Sequence, residues 1–375
     1  MSYEVEEAVS IKTRILWCAM VAVLTWGLWP ESGEGAPPPG YYDSVDTTSG
    51  AALRATLHEV IDDHTRFPYT SSSTDTWNIL EAAQQDPSDS GSIIDVYRNR
   101  SFTKIGGGVG PYDREHSWPK SYGFPDDSSG NYPYTDCYQL FLCDSGYNGS
   151  RSNKPFRSCS AACTEKPTDL NNGQGGGSGS YPGNSNWTSG SYTQGTWETW
   201  IGRRGDIARG QFYLDVRYEG GNHGITGAWE PNLILTDNEA LIDASNTGNN
   251  EHVAYMGMLS VLLQWHLEDP VDDWERNRND VVSNYQGNRN PFIDHPEWVE
   301  CIFNNDCGCG MFDVVVGSGD VNDDGYVDGR DIGPFVEEFL NPTAPSPTAC
   351  RADMDAQGDV DVVDIPLFVD ALSAP

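Results

Sequence analysis

Positive charge is what this sequence has least of: 22 Lys and Arg stand against 56 Asp and Glu, a formal net charge of −34 over 375 residues. Such a chain lacks the uniformly basic surface that usually accompanies phosphate binding. It also lacks an apolar run long enough to span a bilayer comfortably, since the candidate from Ile15 to Trp29 is too short. No His-Glu-x-x-His occurs, and no carboxylate pair stands out from the acidic background, which argues against a secreted zinc protease or a glycosidase. Cys301, Cys307 and Cys309 have no matching second Cys-x-x-Cys or His-x-x-x-His half, so a zinc site there is the weaker reading of those cysteines.

What is present suits a loop-rich globular protein with more than one folding unit: 11% aromatic residues, 40 Gly and 23 Pro. Near the N-terminus Lys12 and Arg14 precede the apolar run, and Pro30-Glu31-Ser32-Gly33-Glu34-Gly35-Ala36 follows it. This pattern reads as a secretory signal peptide over residues 1–35, with an uncleaved anchor as the alternative. Export implies an extracellular or periplasmic protein, with no membrane attachment after cleavage. Cys18 would leave with the leader. The remaining Cys137, Cys143, Cys159, Cys163, Cys301, Cys307, Cys309 and Cys350 form an even set that suggests disulfides.

The charge is unevenly spread. Between Arg100 and Arg157 seven cations face six acids, whereas between Ser318 and Pro375 two face thirteen. The near-neutral stretch can hold phosphates if its cations cluster in the fold. Apolar spacing predicts helices over Ala51–Asp63, Thr76–Ala83, Gly205–Tyr218, Val253–Leu267 and Asp273–Tyr285, the fourth apolar on several faces and so a buried central helix. Ile93–Tyr97 reads as a strand, Gly106-Gly107-Gly108 as a turn, and Asn171–Gly195 as a Gly/Ser-rich surface loop. Helices mixed with few strands indicate an α+β fold over residues 36–313.

A second unit, 318–375, contains an internal repeat. Positions 1, 3, 5, 9 and 12 of its twelve-residue loops are Asp320, Asn322, Asp324, Asp328 and Asp331, then Asp353, Asp355, Gln357, Asp361 and Asp364. Position 6 is Gly325 or Gly358, and Tyr326 and Asp359 supply the backbone carbonyl of position 7. Calcium requires six to eight oxygens, and such a loop wraps them round the ion when position 6 turns sharply. Each loop precedes a short apolar helix, Ile332–Leu340 and Ile365–Leu372. The segment resembles a type I dockerin, with Asp at position 12. The resemblance implies a small all-α, calcium-folded module that docks a cohesin-like domain, and Gln357 departs from the usual Asp.

The remaining chemistry centres on Asp113-Arg114-Glu115-His116-Ser117-Trp118-Pro119-Lys120. Hydrolysis of a phosphodiester requires an activated water and neutralised charge on the phosphate and the leaving oxygen. Histidine suits the first task, and a hard divalent cation on oxygen ligands suits the others. The motif is followed in order by Asp136-Cys137-Tyr138-Gln139-Leu140, Tyr147-Asn148-Gly149-Ser150-Arg151-Ser152-Asn153, Arg204-Gly205-Asp206-Ile207-Ala208-Arg209 and Gln286-Gly287-Asn288-Arg289-Asn290-Pro291-Phe292. Taken alone, Asp206 reads as an arginine partner, and Gln286 to Phe292 as a turn closing the core. Together the set resembles the bacterial endonuclease I family over about residues 50–300.

That resemblance implies a ββα-metal (His-Me finger) core. Glu115 and Asn148 would ligate one Mg²⁺ or Ca²⁺, and His116 would act as general base, giving 5′-phosphate ends. Arg151 would take a structural or phosphate-facing part, and Arg114, Lys120 and Arg151 are the cations available to the substrate. Two departures stand out. Tyr138 and Gln139 replace the family's usual His-Asn pair, and no arginine lies between His116 and Asp136, where the family carries the one that steadies its leaving group.

The leading expectation is a monomeric, secreted, sequence-nonspecific endonuclease acting on DNA and also RNA. The alternative is a calcium-dependent surface or scaffold-docking protein with a degenerate nuclease domain, against which intact Glu115, His116 and Asn148 argue. Calcium is expected to order residues 318–375. A circular-dichroism titration of the full chain should therefore gain helical signal on adding Ca²⁺, and a flat titration would count against the calcium repeats.

Overall fold

The computed structural model describes residues 35–305, 307–308, 314–341, 346–356 and 360–373. The leader expected over 1–35 lies almost wholly outside the described residues, as do Cys309, Gln357, Gly358 and Asp359.

Helix α1 (Gly50–Ile61) starts at Ser49, whose hydroxyl accepts from the Ala52 amide, and buries Leu53, Leu57 and Ile61. Helix α2 (Thr76–Ala83) begins in a capping box, in which Asp75 and Asn78 satisfy each other's backbone amides. Strands β1 (Gln85–Asp86), β2 (Asp89–Ile94) and β3 (Ser101–Thr103) form an antiparallel sheet. A hairpin follows, β4 (Tyr112–His116) against β5 (Leu140–Asp144), with His116 opposite Leu140 and Glu115 opposite Phe141. Asp144 ends β5 and caps α3 (Ser145–Arg151), accepting from the Gly146 and Tyr147 amides. Strand, strand and helix are thus joined in one short unit.

Strands β6 (Thr164–Pro167), β7 (Ser185–Ser189) and β8 (Thr196–Glu198) make a second antiparallel sheet. It corrects the expectation of a Gly/Ser-rich surface loop over 171–195 at residues 185–189. Asn186, Trp187 and Thr188 are buried between two neighbouring strands, a pairing with segments outside the window that local composition does not reveal.

Helix α4 (Arg204–Arg217) is buried along its whole length. It packs against β9 (Asn232–Leu235) and α6 (Leu259–Glu268), while α5 (Glu239–Ser245) packs on β10 (Val253–Met256), which runs parallel to β9. The expected central helix Val253–Leu267 is therefore wrong in two ways. Its first residues are a strand, and α6 buries only Leu262, Trp265 and His266. The central position belongs to α4, whose charges hid it. Arg209 is bonded to Glu275, Arg217 to Glu230, and Asp215 to Arg54, so a polar helix is buried with its charges paired. Asp206 lies 4.0 Å from Arg203, as a structural partner would.

Helix α7 (Asp273–Gln286) ends at Gly287, whose φ of 87° is the left-handed conformation glycine adopts freely. Gln286 then accepts from the Cys137 amide at 2.7 Å, and Asn288 donates to Tyr213 Oη at 2.7 Å, so this turn does close the core. Short helices α8 (Pro291–Asp294) and α9 (Trp298–Asn304) follow. The C-terminal segment has its own small apolar cluster of Val321, Phe335, Ala352, Val360 and Phe368. It is built from α10 (Ile332–Leu340), α11 (Pro347–Ala352) and α12 (Asp364–Leu372), and the Phe335 and Phe368 rings stack at 4.1 Å. The result is an α+β chain with small sheets. Among the described residues no helix is long and apolar enough to cross a membrane.

Disulfides join Cys159 to Cys163 and Cys301 to Cys307, and Cys350 is also disulfide-bonded. The even set is nevertheless not fully paired. Cys137 and Cys143 are free thiols in the apolar core, where they pack as small hydrophobic side chains. With Cys301 and Cys307 bonded to each other, neither offers a thiolate to zinc.

His64 lies against α4, with its Nδ1 accepting from Arg217 Nε at 3.2 Å, and burial lowers its pKa to about 3. A base whose pKa is lower folded than unfolded favours the unfolded chain on protonation. Its stabilising effect is therefore whole above the ordinary histidine value and is lost as pH falls from about 6.5 towards 3. His64→Asn keeps an acceptor near Nδ1 but does not titrate. Between pH 6 and 4 its unfolding free energy should fall less steeply than wild type, by about 1.4 kcal/mol per pH unit. Equal slopes in chemical denaturation would refute this.

Candidate active site

The end of β4 and the length of α3 meet at a cleft of about 340 Å³ lined by Tyr69, Arg114, Glu115, His116, Pro119, Lys120, Asn148, Gly149, Arg151, Ser152 and Asn153. Adjacent residues of a regular strand face opposite sides. Glu115 and His116 nonetheless reach the same cleft, because β4 ends at His116 and the chain turns there. All six residues expected to carry the chemistry are brought together: Arg114, Glu115, His116, Lys120, Asn148 and Arg151. A larger cavity of about 420 Å³ beside Arg54, Asp215 and Glu219 has its cation already bonded to both carboxylates.

His116 is buried, and its Nε2 lies 2.9 Å from the Tyr134 carbonyl. A carbonyl only accepts, so the neutral ring carries its proton on Nε2 and keeps a lone pair on Nδ1. Burial lowers the His116 pKa to about 3, and nearby Lys120, Arg114 and Arg151 act in the same direction, so the imidazole is neutral at ordinary pH. A neutral ring with one free lone pair is the form a general base requires.

Glu115 is buried too, and burial raises its pKa to about 7. Arg151 at 3.3 Å and the Tyr97 hydroxyl, donating at 3.1 Å, pull it back. Asn148 lies on α3, half-buried, and lines the same cleft. Carboxylate and carboxamide oxygens form a donor set for a hard cation. A divalent ion would also offset the burial of the Glu115 carboxylate, so these residues fit one.

Each of the three candidate cations has a distinct setting. Arg151 is fully buried and donates to the carbonyls of His116, Ser117 and Ser152. Arg114 donates to the Tyr69 carbonyl and to the hydroxyls of Thr76 and Thr70, and lies over the Tyr69 ring. Lys120 is exposed, with Nζ 3.0 Å from the Tyr134 hydroxyl. Among the described residues neither Arg114 nor Lys120 has a carboxylate ion-pair partner. The two lie together in the cleft.

The departures at Tyr138 and Gln139 lie behind the site, not in it. Tyr138 donates to the Asn288 carbonyl at 2.8 Å. Gln139 accepts from Ser117 N at 3.1 Å through its backbone, and its side chain donates to the Pro133 carbonyl at 2.7 Å, which braces the turn after His116. Three contributors had no signal in the sequence: Tyr69, Tyr97 and the Tyr134 carbonyl. Each is a single tyrosine in no motif, brought in by tertiary contact.

Arg151→Met should destabilise the fold by about 3 kcal/mol or more, because it strands the Glu115 carboxylate and two carbonyls in the interior. Arg151→Lys should recover little, since one ammonium cannot reproduce the forked set of bonds. Thermal or urea unfolding measures both, and a loss under about 1 kcal/mol in Arg151→Met would contradict the bracing role.

Comparison with known proteins identifies the family. The family model for endonuclease I matches residues 49–297. The chain is 37% identical to an extracellular ribonuclease of Bacillus amyloliquefaciens over 294 residues, 76% of this chain and 87% of that protein. It is 38% identical to an extracellular ribonuclease of Bacillus subtilis over 266 residues, 70% of this chain and 78% of that one. With the match spanning hairpin, helix and cleft alike, the chain belongs to the endonuclease I family and is a nuclease, a phosphodiester hydrolase.

Proposed function

We propose that this protein is a secreted, sequence-nonspecific endonuclease that cleaves RNA and DNA with His116 as general base. One observation carries the reading: Glu115, His116 and Asn148, contributed by a strand end and the following helix, line one cleft. The β4–β5–α3 unit is read as a ββα-metal core. The relatives' description as extracellular ribonucleases supports both export and RNA as a substrate.

Nucleases of this family are generally dependent on divalent metals. Glu115 and Asn148 would hold the ion, Mg²⁺ or Ca²⁺, which when bound supplies Lewis-acid neutralisation of phosphate charge. The chain's own groups do the rest. Lys120, the most exposed cation of the cleft, contacts the phosphate. His116 Nδ1 accepts a proton from the attacking water, whose oxygen bonds to phosphorus as the bond to the 3′ oxygen breaks; the 3′ oxygen takes a proton from solvent, leaving a 3′-hydroxyl and a 5′-phosphate. The negative phosphate stabilises the imidazolium that burial alone disfavours. Arg151 keeps the His116 carbonyl and Glu115 in place and does not touch substrate.

The C-terminal segment is proposed to be a dockerin-like, calcium-binding module that tethers the enzyme through a cohesin-like partner. Asp331 and Asp364, equivalent in the two loops, are both fully buried. Each accepts backbone amides across its own loop: Asn322 and Asp328 on Asp331, and Met354, Asp355 and Asp361 on Asp364. Ligand oxygens of Asp353, Asp355 and Asp364 lie within 4.8 Å of one another. Asp320, Asn322, Asp324, Asp328, Asp361 and the Tyr326 carbonyl would supply further ligands.

Purified protein should cleave a labelled RNA and nick plasmid DNA in Mg²⁺ or Ca²⁺ but not in EDTA. His116→Ala should lose at least about 10²-fold in rate, while Glu115→Gln and Asn148→Ala should need more metal. Equal activity, or equal inactivity in every metal, for wild type and His116→Ala would sink the assignment.

A further inference from the structure

We propose that Tyr69 is a positioning residue of the nuclease site, its ring holding the His116 imidazole in the orientation that keeps Nδ1 available to substrate water. The inference rests on His116 being the general base. A single hydrogen bond, from Nε2 to the Tyr134 carbonyl, fixes one point of the ring but leaves it free to turn about that axis. Two aromatic contacts restrict the turn. Tyr69 stacks on His116 with centroids 5.7 Å apart and planes 28° apart, and Tyr134 meets His116 edge-on at 4.9 Å. Tyr69 and Tyr134 in turn touch each other edge to face at 4.9 Å.

Tyr69 is itself held on both backbone and ring. Its carbonyl accepts from Arg114 and from the Thr76 hydroxyl, and Thr76 N donates to the neighbouring Pro68 carbonyl at 3.1 Å. The Arg114 guanidinium carbon lies 3.3 Å from the Tyr69 ring centre. Arg114 and His116 are two apart on β4 and share one face of the strand, so one flat ring meets both. Among the described residues the Tyr69 hydroxyl makes no hydrogen bond, which leaves the ring, not the oxygen, as the working part. An imidazole that turns even modestly loses the alignment on which proton transfer depends.

The test compares wild type, Tyr69→Leu and Tyr69→Phe on a quenched-fluorescence RNA oligonucleotide in Mg²⁺, with imidazole ¹⁵N shifts recorded for each. Tyr69→Leu should lower kcat on the order of 10²-fold with KM changed less than about twofold. Tyr69→Phe should restore most of kcat. The His116 nitrogen signals, identified by their loss in His116→Ala, should move in Tyr69→Leu and return in Tyr69→Phe. If Tyr69→Leu fails to fold, Tyr69→Met supplies an unbranched, more adaptable side chain without a flat ring. Wild-type kcat in the leucine or methionine variant, a loss confined to KM, a Phe variant as impaired as Leu, or unmoved His116 signals would each overturn the proposal. Full activity in His116→Ala would instead remove the general-base reading beneath it, a result the Tyr69 variants do not mimic.

Discussion

The site depends on where one guanidinium is buried. Arg151, the last residue of α3, sends its donors back to the carbonyls of His116 and Ser117 while lying beside the Glu115 carboxylate. Strand end, turn and helix are thereby fixed to one another through a charge that water does not reach. In so dry a setting each of these bonds is stronger than it would be at a surface, and each is costly to leave unmade. The same bonds tie the end of β4, which carries Glu115 and His116, to α3, which carries Asn148.

The same economy of buried arginines accounts for a nucleic-acid enzyme with so negative a sequence. Arg209, Arg217 and Arg289 are sunk in the interior against Glu275, Glu230 and Asp294. Net charge therefore says little about the potential in the cleft. What counts there is that Arg114 and Lys120 face the site without a carboxylate partner among the described residues. Overall acidity remains as a long-range repulsion, which salt screens, while the local cations act at contact.

The C-terminal segment follows a different logic. Its apolar cluster is small and its helices are short, so the two acidic loops must satisfy much of their own backbone. Asp331 and Asp364 do so from buried positions, each gathering amides of its own loop. The repeat seen in the sequence is thus matched by a repeat in hydrogen bonding, with the stacked Phe335 and Phe368 at its centre.

Much of this was legible before any coordinates. Capped helices such as Thr76–Ala83 announce themselves through local bonds, and the ordered motifs around Glu115, His116 and Asn148 point to the family. Two kinds of feature were not legible. Helix α4 carries too many charges to look buried, and only its partners on α1, α7 and the loop before β9 show why it is. Strand β7 is written in Ser, Asn and Thr and becomes a strand only where β6 and β8 pair with it. The sequence by itself determined the reaction class and singled out the residues that the cleft gathers. The tertiary structure alone decided that Arg151 braces rather than reaches outward, that Lys120 is the exposed cation, and that Tyr69 leans on His116. Such choices rest on contacts between residues far apart in the chain, where burial sets the cost of every unpaired group.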